Sequence, residues 1–402
     1  MSALQFDEAR ALIFARMDEI ASKPVSETVP IEQAQGRVLA KAARADRDYP
    51  PFNRSARDGF AVRAGDLTET PAKLRVLGET RAGEPSRFKI GRGEAVEIMT
   101  GAPGPEGADA VVMVEYSSRD GAFVTLQQGI EPGRNLIYQG SEGQSGSVVL
   151  ESGTFLDYRQ IALLASVGAG EVSVYRQPRV AILSTGDEVI DITGRPEPYQ
   201  IRNSNAHSLA AQIRRQGGLP VILPIAPDRL DRTQELIEEG LRADMLLLSG
   251  GVSAGKYDYV EQVLSKLGAE LFFTQVAIQP GKPLVFGKVG RKPVFGLPGN
   301  PISTMVTFEV FASIALHRLA GRASSPLPFL HARLASDFRH KPVLTRFLPA
   351  LLQGSYGDVK VNPVKWQGSG DLIAAARADC YLVATSGRES WKAGEWIAVL
   401  PK

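Results

Sequence analysis

The chain has 402 residues, enough for roughly two to four domains, and its 44% hydrophobic content is ordinary for a globular protein. Its 46 basic and 44 acidic residues are spread along the chain and leave a net charge of +2, which gives no case for nucleic acid or an anionic membrane as partner. Because Cys380 is the single cysteine, an internal disulfide and a cysteine-based zinc site are excluded, and a reducing cytoplasm is the expected compartment.

The N-terminal part of the chain alternates between helical and β-rich patterns. Apolar residues recur at helical spacing over residues 5–22, which predicts an amphipathic helix, and residues 31–43 are predicted to form a second, shorter one. Short strand-like runs between Gly/Pro turns indicate a β-rich domain over residues 48–139. We interpret it as an insertion into an N-terminal mixed α+β domain made of residues 1–47 and 140–176.

Strands and helices alternate from residue 177 to 323, which predicts a central α/β domain with a mainly parallel sheet. Its most apolar helix, over residues 302–319, is broken by charged residues and is interpreted as a buried helix rather than a membrane span. Residues 324–402 carry strand-like runs and no long helix, which predicts a small C-terminal β-barrel. The predicted fold class is therefore multidomain, α/β plus β.

Three glycine-bearing turns directly follow apolar strands of the predicted α/β domain. In such sheets ligands bind outside the carboxyl ends of the strands, where free backbone N–H groups can hold an anion. Any one of these turns could be a plain strand–helix corner, but three together point to a phosphate-bearing ligand with a divalent cation. The turns are Ser184-Thr185-Gly186-Asp187-Glu188, Ser249-Gly250-Gly251-Val252-Ser253 and Leu297-Pro298-Gly299-Asn300-Pro301.

Four acidic residues lie in turns or first helical turns of this α/β region. Asp187 and Glu188 are adjacent at a strand end and suit Mg²⁺, which takes a few carboxylates and keeps its waters. Asp228 also follows a strand, although it could simply be the N-cap of the next helix. Asp258 would lie in a first helical turn, where it either binds a metal or ligand or merely favours the helix dipole.

Other polar residues occupy constrained loops. Lys282 lies between Pro280 and Pro283, which suits an oxyanion or phosphate contact, although most lysines are simply solvated. Asp58 and Thr100 lie in loops of the inserted domain and would be ordinary turn residues if that domain stood alone. The four histidines show no metal-ligand spacing, and the sequence contains no Ser-His-Asp arrangement and no P-loop.

Together these segments closely resemble the MoeA family of molybdopterin molybdenumtransferases, which includes the E domain of gephyrin. The resemblance covers nearly the whole chain, in matching order and approximate spacing. It rests on the run from Ser55 to Val62 (SARDGFAV), the run from Ile98 to Val112 (IMTGAPGPEGADAVV), the three turns, and Pro280-Gly281-Lys282-Pro283.

This resemblance implies a four-domain homodimer in which the inserted domain of one subunit completes the cleft of the other. It implies insertion of molybdate into adenylylated molybdopterin, with hydrolysis of the adenylate bond, release of AMP and a requirement for Mg²⁺. The implied partners are a molybdopterin adenylyltransferase and the downstream proteins that mature molybdoenzymes.

The resemblance also assigns roles to the candidate residues. It implies that Asp187, Glu188 and Asp228 hold Mg²⁺ or polar parts of the ligand, and that Asp258 grips the ligand. Lys282 and Arg346 would receive molybdate, and Asp58 and Thr100 would come from the second subunit. The pterin phosphate or adenylate would be cradled by the loop of Ser249, Gly250, Gly251, Val252 and Ser253. The pocket would be shaped by Pro298, Gly299, Asn300 and Pro301, and the remaining cofactor-binding residues would be Ser184, Thr185 and Gly186.

The chain departs from the family pattern at three places. An arginine-rich run is replaced by Ile137-Tyr138-Gln139, a lysine by Gln279, and a serine pair by Ala374-Ala375. These changes leave open a divergent, non-catalytic paralogue that binds or delivers the cofactor, or an enzyme that prefers tungstate. A third alternative, an adenylyltransferase of the related α/β type, is disfavoured by the extra β-rich domains.

Overall fold

The computed structural model describes residues 3–251, 259–323 and 327–402. The chain divides into two compact units: Met1–Lys41, Ser152–Tyr158 and Glu171–Lys402 form the first, and Ala42–Glu151 with Arg159–Gly170 the second. Helix α1 (Phe6–Ile20) begins the first unit and buries Ala9, Ile13 and Met17 on one face, as its apolar spacing predicted. Strand β1 (Ser26–Pro30) follows it.

The helix predicted over residues 31–43 is wrong. Only Ile31–Gln33 forms a short 3-10 turn, and Gly36 then adopts a φ of +76°. The next backbone groups bond to a distant segment: the Leu39 N–H donates to the Thr154 carbonyl, and the Leu156 N–H donates to the Arg37 carbonyl, both at 2.9 Å. Long-range pairing therefore satisfies this backbone, which apolar spacing alone could not reveal.

The second unit is built on a six-stranded sheet, which confirms the predicted β-rich character. The strand order is β7-β4-β6-β5-β9-β8, and its core contains Phe60, Val112 and Leu126. Helix α2 (Tyr158–Ser166) follows the strands in the sequence. The strands are β2 (Ala43–Arg44), β3 (Arg54–Ser55), β4 (Gly59–Val62), β5 (Ala72–Thr80), β6 (Glu94–Ile98), β7 (Ala110–Met113), β8 (Ser117–Asp120), β9 (Phe123–Leu126), β10 (Leu136–Ile137) and β11 (Val148–Leu150).

The α/β region of the first unit contains a second six-stranded sheet, of order β16-β13-β17-β21-β20-β18. Strand β12 (Glu171–Tyr175) precedes it and pairs with β1. The strands are β13 (Arg179–Ser184), β14 (Val189–Ile190), β15 (Ile201–Arg202), β16 (Leu219–Ile222), β17 (Met245–Ser249), β18 (Glu270–Gln275), β19 (Ile278–Gln279), β20 (Pro283–Val289) and β21 (Lys292–Leu297). The helices are α3 (Ser204–Arg215), α4 (Leu230–Gly240), α5 (Tyr259–Lys266), α6 (Pro301–Thr307) and α7 (Ser313–Leu319).

This sheet is mixed. Strands β16, β13, β17 and β21 are parallel, whereas β20 and β18 add an antiparallel edge. Two apolar cores cover its two faces. By length and composition the run Pro301–Leu319 could cross a membrane, but 72% of its most apolar window is buried in the protein, as in a core helix.

The C-terminal residues form the predicted small barrel. Strands β24, β25, β22, β28 and β26 pair in that order, and the pairing of β24 with β26 closes the ring. Its elements are β22 (Leu330–Leu334), β23 (Phe338–Arg339), β24 (Thr345–Gln353), β25 (Lys360–Pro363), α8 (Leu372–Arg377), β26 (Cys380–Ala384), β27 (Ser390–Trp391) and β28 (Trp396–Pro401).

Candidate functional site

Three of the parallel strands end side by side at one edge of the sheet. Ser184, the last residue of β13, is in register with Ser249 at the end of β17, and Ser249 with Leu297 at the end of β21. Beyond β13, Thr185 forms a bridge with Ala226 of the segment that follows β16. The glycine-bearing turns are therefore neighbours in space, as the sequence predicted, because their strands share direction and register.

A cleft of about 600 Å³ lies at this edge. Of the predicted ligand-binding residues, seven line it: Ser184, Thr185, Ser249, Gly250, Gly299, Asn300 and Pro301, with Glu188 beside them. Gly370 and Leu372 of the C-terminal region line it too, and the Ile302 N–H donates to the Ser369 carbonyl at 2.9 Å. The cleft is thus bounded by both the α/β region and the segment that leads into α8.

The turn after β17 approaches the turn after β13 so closely that side chains are excluded. A Cβ on Gly250 would lie 3.1 Å from the Thr185 carbonyl oxygen, and a Cβ on Gly251 would lie 2.8 Å from the Thr185 Oγ1. Both glycines also have positive φ values, +91° and +65°. An anion can approach backbone N–H groups that no side chain covers, but the Gly250 N–H already donates to the Leu297 carbonyl at 3.3 Å.

Two asparagines that sequence reasoning missed hold these turns together. Asn203 caps α3 by accepting the Ala206 N–H at 3.1 Å, and it also accepts the Ser184 hydroxyl at 3.0 Å. The Asn205 side-chain amide donates to the Ser249 Oγ at 2.9 Å and to the Gly299 carbonyl at 2.8 Å. Its Oδ1 is buried and has no hydrogen-bond partner among the described residues. Asn203-Ser204-Asn205 before a helical pattern is a cap signature, but nothing local indicates the bridge.

The corner before α6 is shaped by Asn300 and Pro301. Asn300 occupies the N-cap position and Pro301 the first helical position, as predicted, but the Asn300 side chain makes no capping hydrogen bond. Instead the Thr304 hydroxyl donates to the Pro298 carbonyl at 2.5 Å and so fixes the turn from inside the helix. The Asn300 side chain is left to line the cleft.

Three predicted acids, Asp187, Glu188 and Asp228, lie near one another around the β13 turn. The Asp228 backbone N–H donates to the Asp187 Oδ1 at 3.0 Å. Burial first, and then the negative charges of Asp187 and Glu188, raise the pKa of Asp228 above its ordinary value. Mutual repulsion of this kind is relieved by a bound cation. No three His, Cys, Asp or Glu side chains within the described ranges converge tightly enough to hold a metal ion by themselves.

Lys282 and Arg346 do not line this cleft. Gln279 of β19 pairs with Arg346 of β24, where the α/β region joins the barrel, and Lys282 follows three residues later, exposed to solvent. Burial lowers the pKa of Arg346, and its Nε atom has no partner in the part of the chain that the structure describes. Lys282, in the loop after β19, and Arg346, near the start of β24, therefore lie apart from the cleft lining, and we refer to the two together as the basic loop.

Asp58 and Thr100 meet in the second unit. The Asp58 Oδ1 accepts the Thr100 backbone N–H at 2.6 Å and the Thr100 hydroxyl at 2.9 Å. These two hydrogen bonds lower the pKa of Asp58, so its carboxylate is ionised at neutral pH. The predicted residues Val252, Ser253 and Asp258 lie outside the described residues.

The Asn205 bridge gives a direct test of the cleft's architecture. Asn205→Asp keeps the shape of the side chain but removes both donors and places a negative charge against the Gly299 carbonyl. We expect the free energy of unfolding to fall by about 1–3 kcal/mol, measured by urea denaturation. In the control Asn53→Asp the stability should hardly change, because within the described ranges the Asn53 side chain uses only its Oδ1, as acceptor of the Gln139 N–H at 2.8 Å. Equal losses in the two variants would contradict the bridge.

Three family models match consecutive parts of the chain. They are the MoeA N-terminal region (domain I and II) over residues 4–168, the probable molybdopterin binding domain over residues 181–318, and the MoeA C-terminal region (domain IV) over residues 331–402. Together they span most of the sequence, in the order of the observed architecture.

Curated relatives and solved structures agree with these matches. The chain is 35% identical to a molybdopterin molybdenumtransferase of Bacillus subtilis, covering 93% of this chain and 89% of that protein. It is 34% identical to one from a Nostoc species, covering 97% and 92%. A crystal structure of the molybdopterin biosynthesis MoeA protein from Pyrococcus horikoshii OT3 matches 100% of both chains at 28% identity, with a TM-score of 0.74.

Proposed function

The chain belongs to the MoeA family of molybdopterin molybdenumtransferases, and we propose that it inserts molybdate into adenylylated molybdopterin with release of AMP. As a family member it is an enzyme of molybdenum cofactor biosynthesis, and the naming of its relatives as enzymes does not favour the non-catalytic alternative. The observation that carries the proposal is the set of three in-register strand ends around the 600 Å³ cleft. A cleft of this size suits a small-molecule ligand.

The glycine turn would bind the phosphate part of the substrate. Gly251 carries no side chain that would shield its backbone, whereas the Gly250 N–H already donates to the Leu297 carbonyl at 3.3 Å. Asn205 ties the turn to Gly299, so the turn is held in place before the ligand arrives. Donors that need no rearrangement stabilise charge at the adenylate more effectively than mobile ones. The Asn205 Oδ1, which has no partner among the described residues, offers an acceptor for an N–H or O–H group of the same ligand.

Three acids around the β13 turn suit Mg²⁺, and Glu188 among them lines the cleft. Asp187, Glu188 and Asp228 supply carboxylate oxygens, and the pKa of Asp228 is raised first by burial and then by the two neighbouring charges, which a cation would balance. Because Mg²⁺ usually keeps several waters and takes only one or two protein carboxylates, a loose trio is sufficient. When bound, Mg²⁺ would neutralise charge on the phosphate oxygens as the adenylate bond is hydrolysed. Outside the described residues, Asp258 is proposed to grip the ligand.

The basic loop would receive molybdate. Lys282 supplies an exposed ammonium group, and the partly buried Arg346 carries an unpaired Nε in the described structure. Both attract an oxyanion, and burial strengthens that attraction. Strand pairing places Gln279, where the family has a lysine, directly beside Arg346.

The remaining expectations concern assembly and location. We propose a homodimer in which Asp58 and Thr100 of one copy complete the cleft of the other, since their hydrogen-bonded pair holds an ionised carboxylate at a loop of the inserted unit. A molybdopterin adenylyltransferase would supply the substrate, and molybdoenzyme maturation proteins would take the product. The near-neutral net charge of +2 and the single cysteine support a cytoplasmic protein that uses neither nucleic acid nor a membrane.

A turnover assay tests this function. The purified protein is given adenylylated molybdopterin, Mg²⁺ and either molybdate or tungstate, and AMP release is followed with each oxyanion. We expect AMP release that depends on the oxyanion and on Mg²⁺. If the protein binds the substrate but releases AMP under none of these conditions, the transferase function is wrong and the carrier alternative is favoured. If AMP release is faster with tungstate than with molybdate, only the preferred oxyanion changes.

The departure at Gln279 gives a second measurement. Gln279→Lys adds a cation beside Arg346, so we expect the KM for molybdate to fall several-fold with little change in kcat. The matched control is Gln353→Lys, which adds the same charge to the exposed far end of β24. If the rate of AMP release by Gln279→Lys depends on oxyanion concentration as it does in wild type, Gln279 does not weaken oxyanion binding.

A further inference from the structure

A second cavity, of about 480 Å³, lies between α1, α7 and the C-terminal end of the chain. None of the residues that line it lines the cleft at the strand ends. Arg10 of α1 and Arg322, which follows α7, both face it, together with the aromatic rings of Phe14 and Phe155. It is therefore a separate cavity with a basic and aromatic lining, which the transferase reaction leaves without a role.

The positive charge of this cavity is poorly balanced. Among its described lining residues Glu309 is the only carboxylate, and it already accepts hydrogen bonds from Arg215 at 2.6 Å and from Gln212 at 3.1 Å. Arg10 donates to the Val310 carbonyl instead of to an acid. Arg322 lies 4.4 Å from the centre of the Phe155 ring, and its Nη1 lies 3.3 Å from the His317 Nε2.

His317 lies partly buried beside these two cations. Burial, followed by the charges of Arg322 and Arg10, lowers the pKa of His317 to about 3, so the ring is neutral at physiological pH. Burial also lowers the pKa values of Arg10 and Arg322, which means that both guanidinium groups are partly removed from water. Cations held in this way are costly unless an anion accompanies them.

We propose that this cavity binds a small phosphate monoester, with Arg10 and Arg322 on the phosphate and Phe14 and Phe155 against an apolar body. Planar guanidinium groups match the oxygen geometry of a phosphate and can bind it through paired hydrogen bonds. Aromatic walls offer nothing to a bare inorganic ion, but they bury the carbon part of an ester. A volume of about 480 Å³ also exceeds what a single phosphate group requires and falls in the range of small-ligand sites.

His317 makes the proposal testable by NMR on the full-length protein. The chain has four histidines, so protein labelled with ¹³C at the histidine Cε1 gives four signals, and of the four residues only His317 lines the cavity. The His317 signal is assigned by its loss in His317→Gln. Phenyl phosphate, inorganic phosphate and benzoate are then titrated at constant ionic strength.

We expect a saturable shift of the His317 signal with phenyl phosphate, at least tenfold weaker binding of inorganic phosphate, and weak binding of benzoate. Arg322→Gln should weaken phenyl phosphate binding at least tenfold, and Arg10→Gln serves the same purpose if the first variant is unstable. The control Arg232→Gln, an exposed arginine of α4 paired with Glu235, should bind as wild type does. Three results would each overturn the proposal. They are a His317 signal that never moves, binding of phenyl phosphate by both Arg322→Gln and Arg10→Gln as tight as by wild type, and binding of benzoate as tight as that of phenyl phosphate. Because the readout is at His317 and not AMP release, it stands or falls independently of the transferase reaction.

Discussion

Replacing Asp228 with asparagine should lower kcat/KM for molybdate insertion by about 100-fold, while the protein remains at least as stable as wild type. The activity should fall because the amide keeps the size of the side chain but loses the charge that we propose faces Mg²⁺ and the adenylate, and one such electrostatic contact is worth roughly 10²-fold or more in rate. The stability should hold because burial, and then the charges of Asp187 and Glu188, disfavour the charged form of Asp228, and the neutral amide removes that cost.

The sign of the pH dependence follows from the same contacts. The pKa of Asp228 is raised in the folded protein, so its ionised form destabilises the fold above that raised pKa. As pH falls through the raised pKa the carboxyl is protonated and the repulsion is relieved. Below the ordinary carboxyl pKa the group is neutral in both states, so the stability advantage of Asp228→Asn should shrink towards zero in acid.

The control is Asp231→Asn, three residues further along. Asp231 pairs with Arg229 at 2.7 Å on the surface, and that pairing lowers the pKa of Asp231. This variant should therefore lose a little stability and retain its activity. AMP release is measured against Mg²⁺ concentration, and unfolding by thermal denaturation at pH 7 and at acid pH. Full activity in Asp228→Asn would remove Asp228 from the proposed site, and a clear loss of stability at pH 7 would contradict the repulsion.

The strand-end cleft could be predicted because its signals are local. Each of β13, β17 and β21 is an apolar run followed by a turn of small residues, and parallel strands with these connections place their carboxyl ends at one edge. The Asn205 bridge could not be predicted in this way, since Ser249 and Gly299 lie 44 and 94 residues further along the chain. The helix predicted over residues 31–43 was wrong for a similar reason, because the backbone partners of this segment lie near residue 155.

The basic loop illustrates a different limit. Lys282 and Arg346 were singled out together only through the family resemblance, because no local pattern links a turn after β19 with a strand of the barrel. The pairing of Gln279 with Arg346 arises because β24 bonds both to β19 and to β26. Composition and periodicity predict such strands one at a time, but not which strand of another sheet or barrel lies beside them.

Among the glycine-to-alanine substitutions in the second unit, Gly59→Ala should be the most destabilising. A Cβ at Gly59 would lie 1.9 Å from the Val112 carbonyl oxygen and 2.9 Å from the Met113 Cα. Both atoms belong to the backbone of β7, which pairs with β4 along Gly59–Val62, so neither can move without breaking that pairing. Because the backbone cannot move to relieve this overpacking, we expect the free energy of unfolding to fall by about 3 kcal/mol or more.

Activity should fall with stability, because Asp58 immediately precedes Gly59 and its link to Thr100 depends on where β4 begins. The control is Gly65→Ala, in the same unit, where an added Cβ would meet no atom within 4 Å. Unfolding is followed by urea denaturation, and hydrogen exchange of β4, β6 and β7 reports the local effect. We expect faster exchange in these three strands for Gly59→Ala alone. Similar stability and similar exchange in the two variants would mean that β7 can yield, and that the glycine after Asp58 is not required by packing.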